Sequence, residues 1–88
     1  MRDPVSVLKA IKNHIPESMV EEKKRCDWFI NDFSYKPPEM WVYCFRQMTQ
    51  FVNEDLILLS NPVEDWQVKV CSILCCVSED EIRKRASL

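Results

Sequence analysis

An all-α fold is what this sequence predicts, and three observations predict it. The 88 residues contain no glycine, whereas average usage of about 7% would give several. Apolar residues recur every three or four positions, the spacing of a buried helix stripe. Prolines next to capping residues punctuate the chain where those stripes begin and end. The expected architecture is a small bundle of four main helices plus a short C-terminal fifth, with the third and fourth helices central. Residues 1–88 read as one helical domain, either whole or a piece of a larger helical scaffold.

Asp3-Pro4 supplies a cap and a proline for the first helical position. Val5, Leu8, Ile11 and Ile15 follow at helical intervals, and Pro16 ends the first helix and opens the second. The second helix begins polar, with Glu21-Glu22-Lys23-Lys24-Arg25 carrying no apolar position. Cys26, Phe29, Ile30 and Phe33 then form a stripe, so its first half is expected solvated and its second half packed. Tyr35-Lys36-Pro37-Pro38 breaks it, because a residue before proline is pushed away from the helical region.

Pro38-Glu39 opens the third helix. Trp41, Cys44, Phe45, Met48, Phe51, Val52, Leu56 and Leu59 keep its period, with a kink or interruption expected at Asn53-Glu54-Asp55. Asn61 as cap, Pro62 at the first position and Glu64 as a capping-box acid predict the start of the fourth helix. Val63, Trp66, Val70, Ile73, Leu74 and Val77 line one face of it, and Val68, Cys71 and Cys75 a second. The run Asp65-Trp66-Gln67-Val68-Lys69-Val70-Cys71-Ser72-Ile73-Leu74 is similar to the second-helix pattern of HEAT repeats; it covers ten residues, has no second copy and carries no function. Ser78-Glu79-Asp80-Glu81 is a capping box opening the fifth helix, with acids in its first turn and Arg83-Lys84-Arg85 in its last, the order the helix dipole favours.

Composition narrows the function classes. Glycine supplies positive φ and close backbone approach to a ligand. Without it the phosphate-cradling loop, the dinucleotide-binding turn and the nucleophile elbow have no means of forming. His14 is the single histidine, near a helix end, where the dipole favours it. No catalytic constellation is expected, and no cofactor.

Five cysteines, an odd number without a CxxC, read as reduced thiols packed in the core. Cys71 and Cys75 share a helix side and Cys76 turns about 100° away. No metal site is expected, since the short ligand-pairing turns of structural zinc are missing. Met1-Arg2-Asp3-Pro4 leads straight into an amphipathic segment, and no apolar run approaches the roughly 20 residues of a membrane span. The expected location is cytoplasmic or nuclear.

Formal net charge is −2, which does not suit a nucleic-acid binder. Residues 37–82 carry eight acids against Arg46 and Lys69, a balance that suits a basic protein partner better than a phosphate backbone. The basic clusters 23–25 and 83–85 each adjoin acids three and four residues away, as on a solvated helix face. They carry the alternative reading of a nucleic-acid-associated adaptor. Lys84-Arg85-Ala86-Ser87-Leu88 resembles the substrate pattern of cyclic-AMP-dependent protein kinase, with Lys84 where arginine is usual; Ser87 is therefore a candidate phosphosite.

The aromatic content carries the leading expectation. The tryptophans, tyrosines and phenylalanines exceed what one small core encloses, and Trp28 and Tyr43 lie off the main stripes of their helices. Such residues combine apolar area with a polar tip and are enriched at interfaces. Trp28, Trp41, Tyr43, Phe45, Arg46 and Met48 are the candidate partner-binding residues. The expected function is a non-catalytic protein–protein interaction or assembly module, its partner another protein or a second copy of itself.

Overall fold

The structure is a computed structural model, and it describes residues 2–57 and 62–86. Helix α1 spans Pro4–Lys12, α2 Val20–Ser34, α3 Trp41–Phe51, α4 Asp65–Cys75 and α5 Glu79–Ala86. No strand occurs among the described residues. A single 3₁₀ turn, Pro38–Met40, leads into α3, and α3 continues into a π-helical segment, Val52–Ile57.

The first helix is anchored as its sequence demands. Asp3 Oδ1 accepts from the Val5 N–H at 3.0 Å, and its Oδ2 accepts from the Ser6 hydroxyl at 2.9 Å. The helix is shorter than its stripe: it stops at Lys12, and His14 and Ile15 close successive turns back onto Ile11 and Lys12. Ile15 still reaches the core from that turn. Pro16 begins a further turn rather than α2, which starts only at Val20.

One apolar cluster joins the elements. Leu8 and Ile11 of α1, Cys26 of α2, Cys44 and Met48 of α3, and Val70 of α4 are wholly buried in it. Phe29 lies at its aromatic centre, with ring centroids 5.4 Å from Phe33 and 5.5 Å from Phe51. Burying rings of this size supplies most of the apolar area that holds such a small domain.

The centre of the bundle is α1, not the pair α3 and α4. It packs against α2, α3 and α4, while α3 and α4 make little direct contact. The reason is width of burial: α1 buries Pro4, Val7, Leu8 and Ile11 in nine residues, whereas α3 buries only the stripe Cys44, Met48 and Phe51. The longest apolar pattern thus belongs to a peripheral helix, whose other flank faces water.

Asn53-Glu54-Asp55 interrupts α3 by widening it rather than ending it. In the π segment Val52 and Leu56 both face the core while the three polar residues between them stay exposed. Such widened turns are uncommon and recur at functional sites. The end of the apolar stripe at Leu59 lies outside the described residues.

Helix α4 begins three residues later than its proline suggested. Its N-cap is Glu64, whose N–H donates to Gln67 Oε1 at 2.7 Å and whose Oε2 accepts from Trp66 Nε1 at 2.8 Å. Asn61, the expected cap, lies outside the described residues. Gln67 is wholly buried, and its Nε2 donates to the Leu56 carbonyl at 2.7 Å, tying α4 to the π segment. A buried amide is tolerable only when so satisfied.

The end of α4 shows what a glycine-free chain does at a helix stop. Cys76 adopts the left-handed conformation, φ 54° and ψ 43°, that glycine usually supplies. The Ser72 hydroxyl donates to the Val77 carbonyl at 2.6 Å and steadies the turn. Arg2 then reaches across from the N-terminus and donates to the Ile73 and Leu74 carbonyls at 2.6 and 2.7 Å. Those carbonyls lack helical partners, and a cation suits that end of the dipole.

Helix α5 opens as expected, with Ser78 Oγ accepting from the Glu81 N–H at 3.2 Å. None of its residues is buried. Ion pairs of Arg83 with Asp65 and of Lys69 with Glu79 hold it to α4.

Candidate functional site

The expected partner-binding residues separate into outside, margin and core. Trp28 is 59% exposed although its neighbour Phe29 is buried, the two rings meeting edge-on at 5.2 Å. Tyr43 is 45% exposed, and Arg46 is exposed. Trp41 and Phe45 are half-buried, and Phe45 packs against the core. Met48 is 0% exposed, which corrects its assignment to a binding surface: it lies on the α3 stripe with Cys44 and Phe51, and no partner can touch it. Tyr35, one of the surplus aromatics, is exposed, and sequence reasoning missed exposed apolar residues at Met40 and Val42. Val42 was legible, since it sits on the opposite side of α3 from the Cys44–Met48–Phe51 stripe.

The surface aromatics do not form one patch. Trp28 lines a groove of about 590 Å³ between α2 and the π segment, shared with Glu22, Arg25, Phe51 and Asp55. Phe45 and Arg46 line a second groove, of about 690 Å³, with Arg2, Val42, Asn53 and Glu54. The two linings have no residue in common. Asp55 faces one and Asn53 and Glu54 the other, because consecutive helical residues point in different directions.

Charge is distributed differently in each groove. Beside Trp28, Lys24 pairs with Glu21 at 3.6 Å and Arg25 stacks over the Phe29 ring at 5.2 Å. Glu22 and Asp55 have no hydrogen-bonding or ionic partner among the described residues. In the second groove the Arg2 guanidinium is fixed 5.2 Å above the Phe45 ring by its bonds to α4. Glu54 accepts from Gln50 Nε2 at 3.3 Å, and Arg46 has no partner among the described residues.

The basic clusters are largely self-neutralised. Lys23 pairs with Glu17 at 2.6 Å, and this bond and charge hold the exposed Glu17 carboxyl below its ordinary range. Arg83 pairs with Asp65 and Glu79, and Arg85 with Glu81 at 3.2 Å. Ser87 lies outside the described residues.

The cysteines divide. Cys26 and Cys44 are buried, as expected of core thiols. Burial, reinforced by the Asp27 charge, pushes Cys26 up to about 11; burial and then Asp32 raise Cys44. Cys71 is intermediate and is raised by burial and by Cys75. Cys75 and Cys76 are exposed, which corrects their assignment to the core: the last turn of α4 runs past Leu74 and leaves the cluster. Among the described residues no cluster of three or more histidine, cysteine or acidic side chains could hold a metal ion. No described helix is long and apolar enough to cross a membrane.

The chain matches no protein-family model, no curated protein and no solved structure.

Proposed function

We propose that this chain is a non-catalytic protein–protein interaction module with two separate contact surfaces, one at Trp28 and one on the outer flank of α3. The observation that carries the reading is the exposure of Trp28 on a helix that buries Phe29 and Phe33. An indole left in water beside a groove is the kind of anchor that dominates binding energy when a partner covers it. Val42, Tyr43 and Arg46 extend the apolar and cationic surface along α3. The partner is another protein or a second copy of the chain. Exposed thiols at Cys75 and Cys76 suit a reducing compartment, the cytoplasm or nucleus.

The alternative, a nucleic-acid-associated adaptor, has less support. Its cations at 23–25 and 83–85 are mostly engaged by neighbouring acids or a ring, and only cations released to phosphates contribute to such binding.

Affinity capture with the intact chain and with the double variant Trp28→Ala/Tyr43→Ala tests the reading. A protein held by the intact chain should be lost from the variant, while far-UV dichroism and the urea midpoint establish that the variant folds. Equal capture by both folded proteins overturns it.

A further inference from the structure

Resting on the interaction reading above, we propose that one partner of this chain is a second copy of it, bound head to tail, with Trp28 of one copy seated in the Arg46 groove of the next. The two grooves carry opposite net charge: Glu21, Glu22 and Asp55 outnumber Lys24 and Arg25 in one, and Arg2 and Arg46 outnumber Glu54 in the other. One carries a protruding indole flanked by Glu22 and Asp55, carboxylates without partners among the described residues. The other is lined by Val42 and Phe45, the unpartnered guanidinium of Arg46, the fixed one of Arg2, and Glu54, which accepts from Gln50. Its volume of about 690 Å³ has room for an indole. Most other cations are already engaged: Lys12, Lys23, Lys36 and Lys69 all sit in ion pairs. Unpartnered acids, Glu22 and Asp55, thus lie beside the exposed indole, and an unpartnered arginine, Arg46, lies in the other groove. Docking the indole brings Glu22 and Asp55 toward Arg46, and opposite charge of this kind fixes register more than it adds strength.

The symmetry follows from the placement. The grooves open on different sides of the π segment and share no lining residue. A contact between unlike surfaces is heterologous, so each copy keeps one free indole and one free groove, and assembly continues as a ring or an open row.

Sedimentation equilibrium with mixed variants tests this. The intact chain should show an average mass rising above 10.5 kDa between about 10 μM and about 1 mM, the range of modest contacts. Trp28→Ala lacks the indole but keeps the groove; Arg46→Glu reverses the charge at Arg46 but keeps the indole. Each alone should stay at the mass of one chain, and an equimolar mixture should reach twice that mass and stop. Asp55→Arg, at an exposed position, replaces Trp28→Ala if the latter loses its native urea midpoint. A one-chain mass for the intact protein at every concentration overturns the proposal, as does a mixture that stays monomeric or single variants that assemble like the intact chain. The broader interaction reading is judged separately, because loss of a different captured protein from Trp28→Ala/Tyr43→Ala stands even if the chain never self-associates.

Discussion

The Phe29 cluster and the α4–α5 end are held together by different forces. Around Phe29, three phenylalanine rings, two buried thiols and the apolar face of α1 exclude water from one shared interior. At the other end, α5 has no fully buried residue, its Ile82 being half-buried, and is attached by ion pairs whose side chains are about half exposed. Burial of apolar area is not screened by salt, whereas exposed ion pairs contribute little and are screened. Stability should therefore be set almost wholly by the first region, and the second should move without disturbing it.

The largest expected effect breaks the first region. Phe29→Ala removes the ring that joins α2 to α3 and should cost about 3–5 kcal/mol. Total stabilities are about 5–15 kcal/mol, so the variant should show a sharply lowered urea midpoint or be unfolded at 25 °C. A loss below about 1 kcal/mol would mean that the cluster is not the centre of the fold.

Alkaline pH should attack the same region through its thiols. The folded chain holds Cys26 neutral up to about 11, against an ordinary value of 9.0. The native state therefore retains this proton where the unfolded chain has released it, so stability is intact below pH 9 and falls as pH rises from 9 to about 11. The loss is on the order of 2 kcal/mol at the upper end. Urea midpoints at pH 8, 9, 10 and 11 for the intact chain and Cys26→Ala isolate it from the titration of lysine and tyrosine. Parallel declines would refute the assignment. A disulfide reagent at pH 8 sharpens the contrast: Cys75 and Cys76 should react in the folded protein, and Cys26 and Cys44 only on unfolding.

The stop of α4 tests the opposite sign. Cys76 carries a Cβ in a left-handed conformation that disfavours one by roughly 1–2 kcal/mol. Cys76→Gly relieves that cost but frees the unfolded chain. The expected net gain is about 1 kcal/mol, read as a higher urea midpoint with an unchanged slope; a lower midpoint would show that the thiol side chain stabilises the turn.

Much of this was legible in the sequence, and the exceptions have physical causes. The Asp3 cap, the stripe Cys26–Phe29–Phe33 and the Ser78 start are local features, settled within one or two turns, and they form as the residues dictate. Which helix is central is not local. Leu8 and Ile11 look like one short stripe, and only the folded arrangement shows three helices closing on them. Met48 and Trp28 are a different case: each is a large residue on an amphipathic helix, and its position relative to the stripe decides whether it is buried or exposed. Trp28 lies off its stripe and was identifiable as a surface residue; Met48 lies on its stripe, and its assignment to the surface neglected that. The fate of Cys75 and Cys76 depends on where α4 leaves the core, which composition does not record. The pairing state of Arg46, Glu22 and Asp55 is likewise a property of the assembled surface.

The smallest expected effect belongs to α5 and discriminates most finely between the two regions. Its contacts to α4 run through Arg83 to Asp65 and through Lys69 to Glu79 at 3.3 Å. Raising salt from about 0.05 to about 1 M shortens the screening length to about 3 Å, and Lys69→Gln removes one partner outright. Either change should cost less than about 1 kcal/mol globally. Amide exchange reports it locally: protection should fall across Ile82–Ala86 while the amides of Leu8, Phe29 and Met48 keep theirs. If salt lowered protection in the Phe29 cluster as well, the two regions would form one cooperative unit, and α5 would be part of the fold rather than an appendage to it.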